Sequence, residues 1–184
     1  MPPRFQNADE VVGELIGVAP RKEAAPLSVT PSNPLAVNAD IVIVGSGLAG
    51  LCAAVSAAQK GARVLVLELS QEIGGLTRLS TGLIGFADPD RQRPLGIYDS
   101  VERHAQQTLA FGRCRADKTL VHTLCRHGLE CARWLESLGI QFSPRTIQRA
   151  RTLFPRGHLP SQGGGSVYTD LLALKATALG VKFA

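Results

Sequence analysis

Two kinds of hydrophobic spacing alternate along this chain, and the switches between them set most of the expected elements. Residues 41–45, IVIVG, form an unbroken β-branched run closed by glycine, the pattern of a strand buried on both faces. LAGLCAAVSAAQKG follows, alanine-rich and ended by Gly61, which predicts a helix with a small-residue face and a glycine stop. RVLVLE is a second buried strand. Strand, helix and strand in that order predict a βαβ unit, because parallel neighbours need a crossover between them.

Further along, DSVERHAQQTLAF predicts a helix capped by Asp99 or Ser100, with Glu102 completing a capping box for Asp99. DKTLVHTLCRHGLECARWLESLG predicts a helix with Leu120, Leu124, Cys131, Leu135 and Leu138 on one face and Gly128 as a candidate break. Cys125, Cys131 and Trp134 are expected to serve packing. QGGGSVYTDLLALKATALG is a glycine turn opening a helix, and GVKF begins a third strand at Val181. Upstream, residues 1–38 hold six of the eleven prolines, which predicts an extended linker with one short helix at Asp9–Gly17. The expected division is therefore a linker over 1–38 and a folded α/β part over 39–184.

Composition narrows this picture only slightly. At 184 residues and 45% hydrophobic content, the chain has room for one domain with a sizeable core. It has no run of eighteen apolar residues and no basic-then-apolar leader, so the expected location is cytoplasmic, with no membrane span. Cys52, Cys114, Cys125 and Cys131 lack metal or disulfide spacing and read as buried or partly buried free thiols, with no metal site. The net charge of +5 arises largely from the arginine-rich stretch between Arg145 and Arg156 and does not indicate nucleic acid. His104, His122 and His127 fall in helices without evident acidic partners and read as surface or satisfied histidines.

The chemistry-bearing motif is GSGLAG, which places Gly45, Gly47 and Gly50 in G-x-G-x-x-G between the first strand and its helix. The first glycine allows the tight turn, the second lets backbone approach a pyrophosphate, and the third permits close helix packing. The helix opening at Leu48 aims free N–H groups at the phosphates, a term of about 0.3–1 kcal/mol. Glu68 closes the second strand, where a carboxylate accepts from the adenosine ribose hydroxyls and repels a 2′-phosphate. The candidate cofactor contacts here are Gly45, Ser46, Gly47, Leu48, Ala49 and Gly50, then Glu68 and Leu69.

DIVIVGSGLAGLCAAVSAAQKGARVLVLE followed by IGG-x-T-x-LS-x-G resembles the FAD-binding domain of the fumarate reductase and succinate dehydrogenase flavoprotein family. The resemblance continues through GIYDSVERH, WLESLGI, RGHLPSQGGGS and ALGVKF, about residues 39–184. It implies a Rossmann-like FAD-binding fold, truncated before a capping domain. It also implies that the second glycine segment runs beneath a flavin, with Gly74, Gly75, Leu76, Thr77, Ser80 and Gly82 at the cofactor. Arg156 and His158 match the family's R-x-H-x-P loop, implying a place near the flavin or an anionic substrate; the alternative is a solvated basic loop.

Two departures carry information. Leu76 stands where membrane-bound members bear the histidine joined to FAD, so the flavin is expected to be non-covalent. Leu83 replaces a common glycine, which argues against naming fumarate as the substrate. The resemblance places the proton-donating arginine and most substrate-clamping groups on a cap and a C-terminal half that would follow Val181. The chain is therefore expected to be the FAD-binding portion of an oxidoreductase acting on a C–C bond beside a carbonyl or carboxylate, inactive alone. The alternatives are a degenerate nucleotide-binding module without catalysis, or one piece of a split enzyme whose partner supplies the missing half and cap.

Overall fold

The computed structural model describes residues 38–148 and 154–184. The proline-rich segment and its expected helix at Asp9–Gly17 lie outside the described residues. Along the chain run β1 (Ile41–Val44), α1 (Leu48–Gln59), β2 (Val64–Leu67), the single turn α2 (Gly75–Arg78), β3 (Ile84–Gly85) and α3 (Pro89–Gln92). After a 3-10 turn (Arg93–Leu95) come α4 (Val101–Phe111), α5 (Lys118–Leu138), β4 (Phe142–Gln148), β5 (Gly157–Pro160), α6 (Ser166–Ala178) and β6 (Lys182–Phe183). These elements fall into two compact units, residues 38–82 with Gln162–Ala184, and Leu83–Ser161.

The first unit is the expected βαβ core. Its sheet has the order β1-β2-β6 and is parallel throughout, with Ile41 opposite Val64, Val44 opposite Leu67, and Val66 opposite Phe183. Helix α1 packs on both strands and on α6. Leu51, Ala54 and Val55 from α1, Leu172, Ala173 and Ala176 from α6, and Val64–Val66 are all buried. Strand β2 is thus covered as the sequence implies. Strand β1 is not: Val42 is 55% and Val44 85% exposed. A β-branched run reports strand propensity wherever it sits, whereas burial is set by neighbours. Among the described residues β2 is the one strand beside β1.

The second unit holds a sheet that sequence reading missed. Antiparallel β3, β5 and β4 pair in the order β3-β5-β4, with Ile84 opposite His158 and Phe142 opposite Pro160. Part of this is the stretch read as a basic loop. Its strands are short, interrupted by Pro144, Gly157 and Pro160, and shifted in register between Phe142 and Ile147, so no clean alternation survives.

Helices α4 and α5 pack through Ala105, Val121 and Cys125, with Val101 and Leu109 beside them. Ser100 caps α4 by accepting from the Arg103 N–H at 3.1 Å, so the capping box with Asp99 does not form. Helix α5 runs unbroken through Gly128, where an added Cβ would lie 3.0 Å from the Phe86 Cβ. Its buried stripe is Val121, Cys125, Ala132, Leu135 and Leu138; Leu120, Leu124 and Cys131 are exposed, contrary to the expected face. The true stripe includes small residues that let α5 approach closely, and leucine spacing alone conceals it. Trp134 is half-buried. Cys114 and Cys131 are exposed rather than packed. No helix among the described residues is long and apolar enough to cross a membrane.

Candidate functional site

The chain leaves β1 at Gly45, whose φ of +92° favours glycine and whose N–H donates to the Leu67 carbonyl at 2.7 Å. Gly47 is the N-cap of α1. At Gly50 an added Cβ would stand 2.0 Å from the Gly45 carbonyl oxygen, so α1 can close on the turn only without a side chain there. No acidic side chain occupies the first turn of α1. Leu48 is half-buried and Ala49 exposed on that turn.

Ser46, fully buried, ties three segments together. Glu68 Oε2 accepts from the Ser46 N–H at 2.8 Å and from the Ser46 hydroxyl, while Oε1 accepts from the Ser70 N–H at 2.9 Å. The same Ser46 oxygen accepts from the Gly74 N–H at 3.0 Å. Partial burial pushes the Glu68 carboxyl up, but the hydrogen bonds from the Ser46 hydroxyl and from the Ser70, Ser46 and Leu69 N–H groups outweigh it and leave the net shift downward. Glu68 is therefore an anion at neutral pH. With the Ser46 hydroxyl and the Ser46, Ser70 and Leu69 N–H groups all directed at it, a ligand hydroxyl must displace or share one of these donors.

The second glycine segment is pinned once more where Thr77 Oγ1 accepts from the Leu48 N–H at 3.2 Å. Gly75, at φ +50°, and Gly47 face each other: a Cβ on Gly75 would meet nothing nearer than the Gly47 Cα at 3.8 Å. That leaves a strip of bare backbone where a planar or anionic group can approach. Gly74 and Gly82 have packing reasons of their own. A Cβ on Gly74 would lie 3.0 Å from Thr169 Oγ1, and one on Gly82 2.9 Å from the Gly164 carbonyl carbon. Leu69 and Leu76 are 102% and 85% exposed.

The start of α6 forms a seat for this segment, a feature the sequence reading treated merely as a helix start. The Gly165 N–H donates to the Ser80 carbonyl at 2.8 Å, and the buried Tyr168 hydroxyl donates to the Gly82 carbonyl at 2.8 Å. Arg78 pairs with Asp170. The Ser80 hydroxyl is used within the segment, donating to the Thr77 carbonyl at 2.8 Å and accepting from the Gly82 N–H at 3.2 Å. A groove of about 460 Å³ runs alongside, lined in part by Ser70, Ile73, Gly75, Leu76 and Leu79.

Arg156 and His158 belong to the second unit, and neither sits on a solvated loop. Arg156 is 4% exposed and makes a bidentate pair with the buried Asp99 carboxylate, both contacts at 2.8 Å. Gln92 Nε2 donates to the same carboxylate at 3.4 Å and to the Pro155 carbonyl at 2.9 Å. Burial pushes the Asp99 carboxyl up; Arg156 above all pulls it below the usual carboxylate range. His158, fully buried, stacks on Phe86 at 3.9 Å between centroids, and neither ring nitrogen completes a hydrogen bond of good geometry. Burial lowers its pKa further than Asp88 and the Arg156 and Ile84 carbonyls raise it. Of the other histidines, His127 does have an acidic neighbour, Glu130, at 2.9 Å.

Residues 40–179 match the FAD binding domain family. The chain belongs to that family. The fold, α/β and Rossmann-like, and the cofactor, FAD, follow from this membership and agree with the resemblance seen in the sequence. The chain is 30% identical over 162 residues to a fumarate reductase (cytochrome) of Shewanella frigidimarina, covering 88% of this chain and 27% of the relative. It is 31% identical over 181 residues to the acrylate reductase flavoprotein subunit of Shewanella woodyi, covering 96% of this chain and 35% of that one. A 3-ketosteroid-Δ4-(5α)-dehydrogenase structure from Rhodococcus jostii superposes with a TM-score of 0.67 at 26% identity, over 86% of this chain and 40% of the other. The chain thus spans about a quarter to a third of the curated relatives it matches. Gly47 and Gly75, one from each glycine segment of this domain, leave bare backbone facing each other.

Proposed function

We propose that this chain holds FAD non-covalently as the cofactor-binding portion of an oxidoreductase acting on a carbon–carbon bond beside a carbonyl or carboxylate. The observation that carries the reading is the double pinning of the two glycine segments, Gly74 to Ser46 and Leu48 to Thr77, with the Glu68 carboxylate at their junction. In this reading Gly45, Ser46, Gly47, Leu48, Ala49 and Gly50 take the pyrophosphate, and Glu68 with Leu69 takes the adenosine ribose. Gly74, Gly75, Leu76, Thr77, Ser80 and Gly82 lie against the pyrophosphate, ribityl chain and flavin. When bound, FAD supplies a two-electron centre that takes or gives a hydride. The residues named here bind and orient it, and no proton donor is assigned to them.

Fumarate and acrylate, named in two relatives, both carry a double bond beside a carboxylate, which supports the substrate class. Leu76 offers no nucleophile to a flavin, which supports non-covalent attachment. The thiols of Cys114, Cys125 and Cys131, which form no disulfide, support a reducing, cytoplasmic setting. The uncovered side of β1 supports a partner segment or chain that adds strands and a substrate cap. Arg156 is satisfied by Asp99 and His158 is enclosed by Phe86, so a structural role within their own unit fits both better than contact with a ligand. The test is to purify the chain with bound flavin and precipitate it with acid. Flavin should leave in the supernatant as intact FAD; yellow colour retained by the washed pellet overturns non-covalent attachment.

A further inference from the structure

The x position of the G-x-G turn places no demand on side-chain type, since only its backbone shapes the turn. Here it is Ser46, completely buried, and its hydroxyl is engaged on both sides. On one side it donates to Glu68 Oε2, the carboxylate placed at the adenosine ribose. On the other it accepts from the Gly74 N–H at 3.0 Å, the first backbone donor of the segment placed at the flavin. Among the described residues this shared oxygen is the hydrogen-bonded link from Glu68 to that segment. Thr77 and Leu48 tie the segment to α1, bypassing the carboxylate.

We propose that the Ser46 hydroxyl is a positioning group coupling the two ends of the dinucleotide site, so that filling the adenosine end tightens the flavin end. The inference rests on the proposed FAD site. A hydroxyl that donates to a carboxylate is polarised and becomes a better acceptor for the N–H behind it. Any ligand that orders Glu68 therefore orders Gly74 through one shared oxygen. By linkage the effect is reciprocal, and a flavin seated on Gly74–Thr77 strengthens adenosine binding by the same factor. Both ends of the chain's FAD site are then set before the cofactor is complete, from either direction.

The test uses ADP, which carries the adenosine end and no flavin. In the wild-type chain, saturating ADP should slow amide hydrogen exchange at Gly74 and across residues 74–77. In Ser46→Ala that response should vanish, and ADP affinity should fall about tenfold, the weight of one hydrogen bond to a charged group. Ser46→Thr keeps the hydroxyl and should restore both. Unchanged ADP affinity in Ser46→Ala, or an undiminished exchange response in that variant, overturns the coupling. Glu68→Ala separates the two claims: if it too leaves ADP affinity unchanged, the adenosine site itself is misplaced. Should Ser46→Ala fail to fold, the wild-type exchange experiment stands alone, and ADP binding without slower exchange at Gly74 refutes the proposal.

Discussion

Substituting Asp99→Asn is expected to destabilise the second unit severely. Asp99 is the charge partner of Arg156, whose side chain is 4% exposed. Nη1 of Arg156 already lacks a partner, so the two bonds to Asp99 are the main compensation for burying the cation. Leaving that charge unpaired costs about 3–5 kcal/mol. Because neither side chain is open to solvent, no discount for screening applies. Arg156→Met alone strands the Asp99 carboxylate and should cost a similar amount. The double variant Asp99→Leu/Arg156→Met should cost less than either single change, since replacing a buried pair by apolar groups is often neutral.

Trp134 is the one tryptophan of the chain and lies in α5 of the same unit, so urea unfolding followed by its fluorescence reads this region directly. A loss of 3 kcal/mol shifts the midpoint by about 1 M or more. Acid should act in the same direction. The folded-state pKa of Asp99 is depressed, so its contribution is complete above the unfolded carboxylate value near 4 and disappears as pH falls through the lower folded value. Single substitutions costing under about 1 kcal/mol, or a double variant equal to the sum of the singles, would refute the reasoning and reopen a ligand role for Arg156.

Gly50→Ala should abolish FAD binding and lower the melting temperature, because its Cβ would meet the Gly45 carbonyl at 2.0 Å; a normal melt with retained flavin refutes the close approach of α1. Gly165→Ala should loosen the flavin segment, since its Cβ would stand 1.8 Å from the Thr77 carbonyl oxygen; proteolysis between Gly74 and Gly82 should quicken, and unaltered cleavage would count against the seat on α6. His158 is held neutral with a pKa below 6.5, so the unfolded chain gains a proton first as pH drops. Stability should therefore fall below about pH 6.5, and His158→Phe should lessen that slope by at most about 1.4 kcal/mol per unit, leaving the share of His104, whose pKa burial also lowers.

Much of the first unit was legible because its signals are local. A β-branched run, glycines at fixed offsets and an alanine-rich helix each point to one structure, and they agree with one another. The burial of β1 was not legible, because Val42 and Val44 read alike whether or not a neighbouring strand covers them. The Ser46 hydroxyl escaped notice because the fingerprint constrains the backbone and is silent about that side chain. The seat at Gly164–Gly165 depends on contacts across some eighty residues, which no local pattern encodes. In the second unit, arginines along a proline- and glycine-rich stretch fit a solvated loop and a ligand-proximal one equally. Arg156 is buried instead because Asp99, fifty-seven positions earlier, neutralises it. On α5 the expected Leu135 and Leu138 are buried, but Val121, Cys125 and Ala132 replace Leu120, Leu124 and Cys131 in the stripe, because small residues bury where a helix packs closely and leucine spacing does not reveal them.

The central claim is that the two pinned glycine segments form an FAD site. Titrating the flavin-stripped chain with FAD, beside Glu68→Ala of equal thermal stability, tests it most directly. The expected result is saturable one-to-one binding by the wild-type chain, at least tenfold weaker in Glu68→Ala. A folded wild-type chain that does not bind FAD, or binds it equally well without the Glu68 carboxylate, would contradict the site described here.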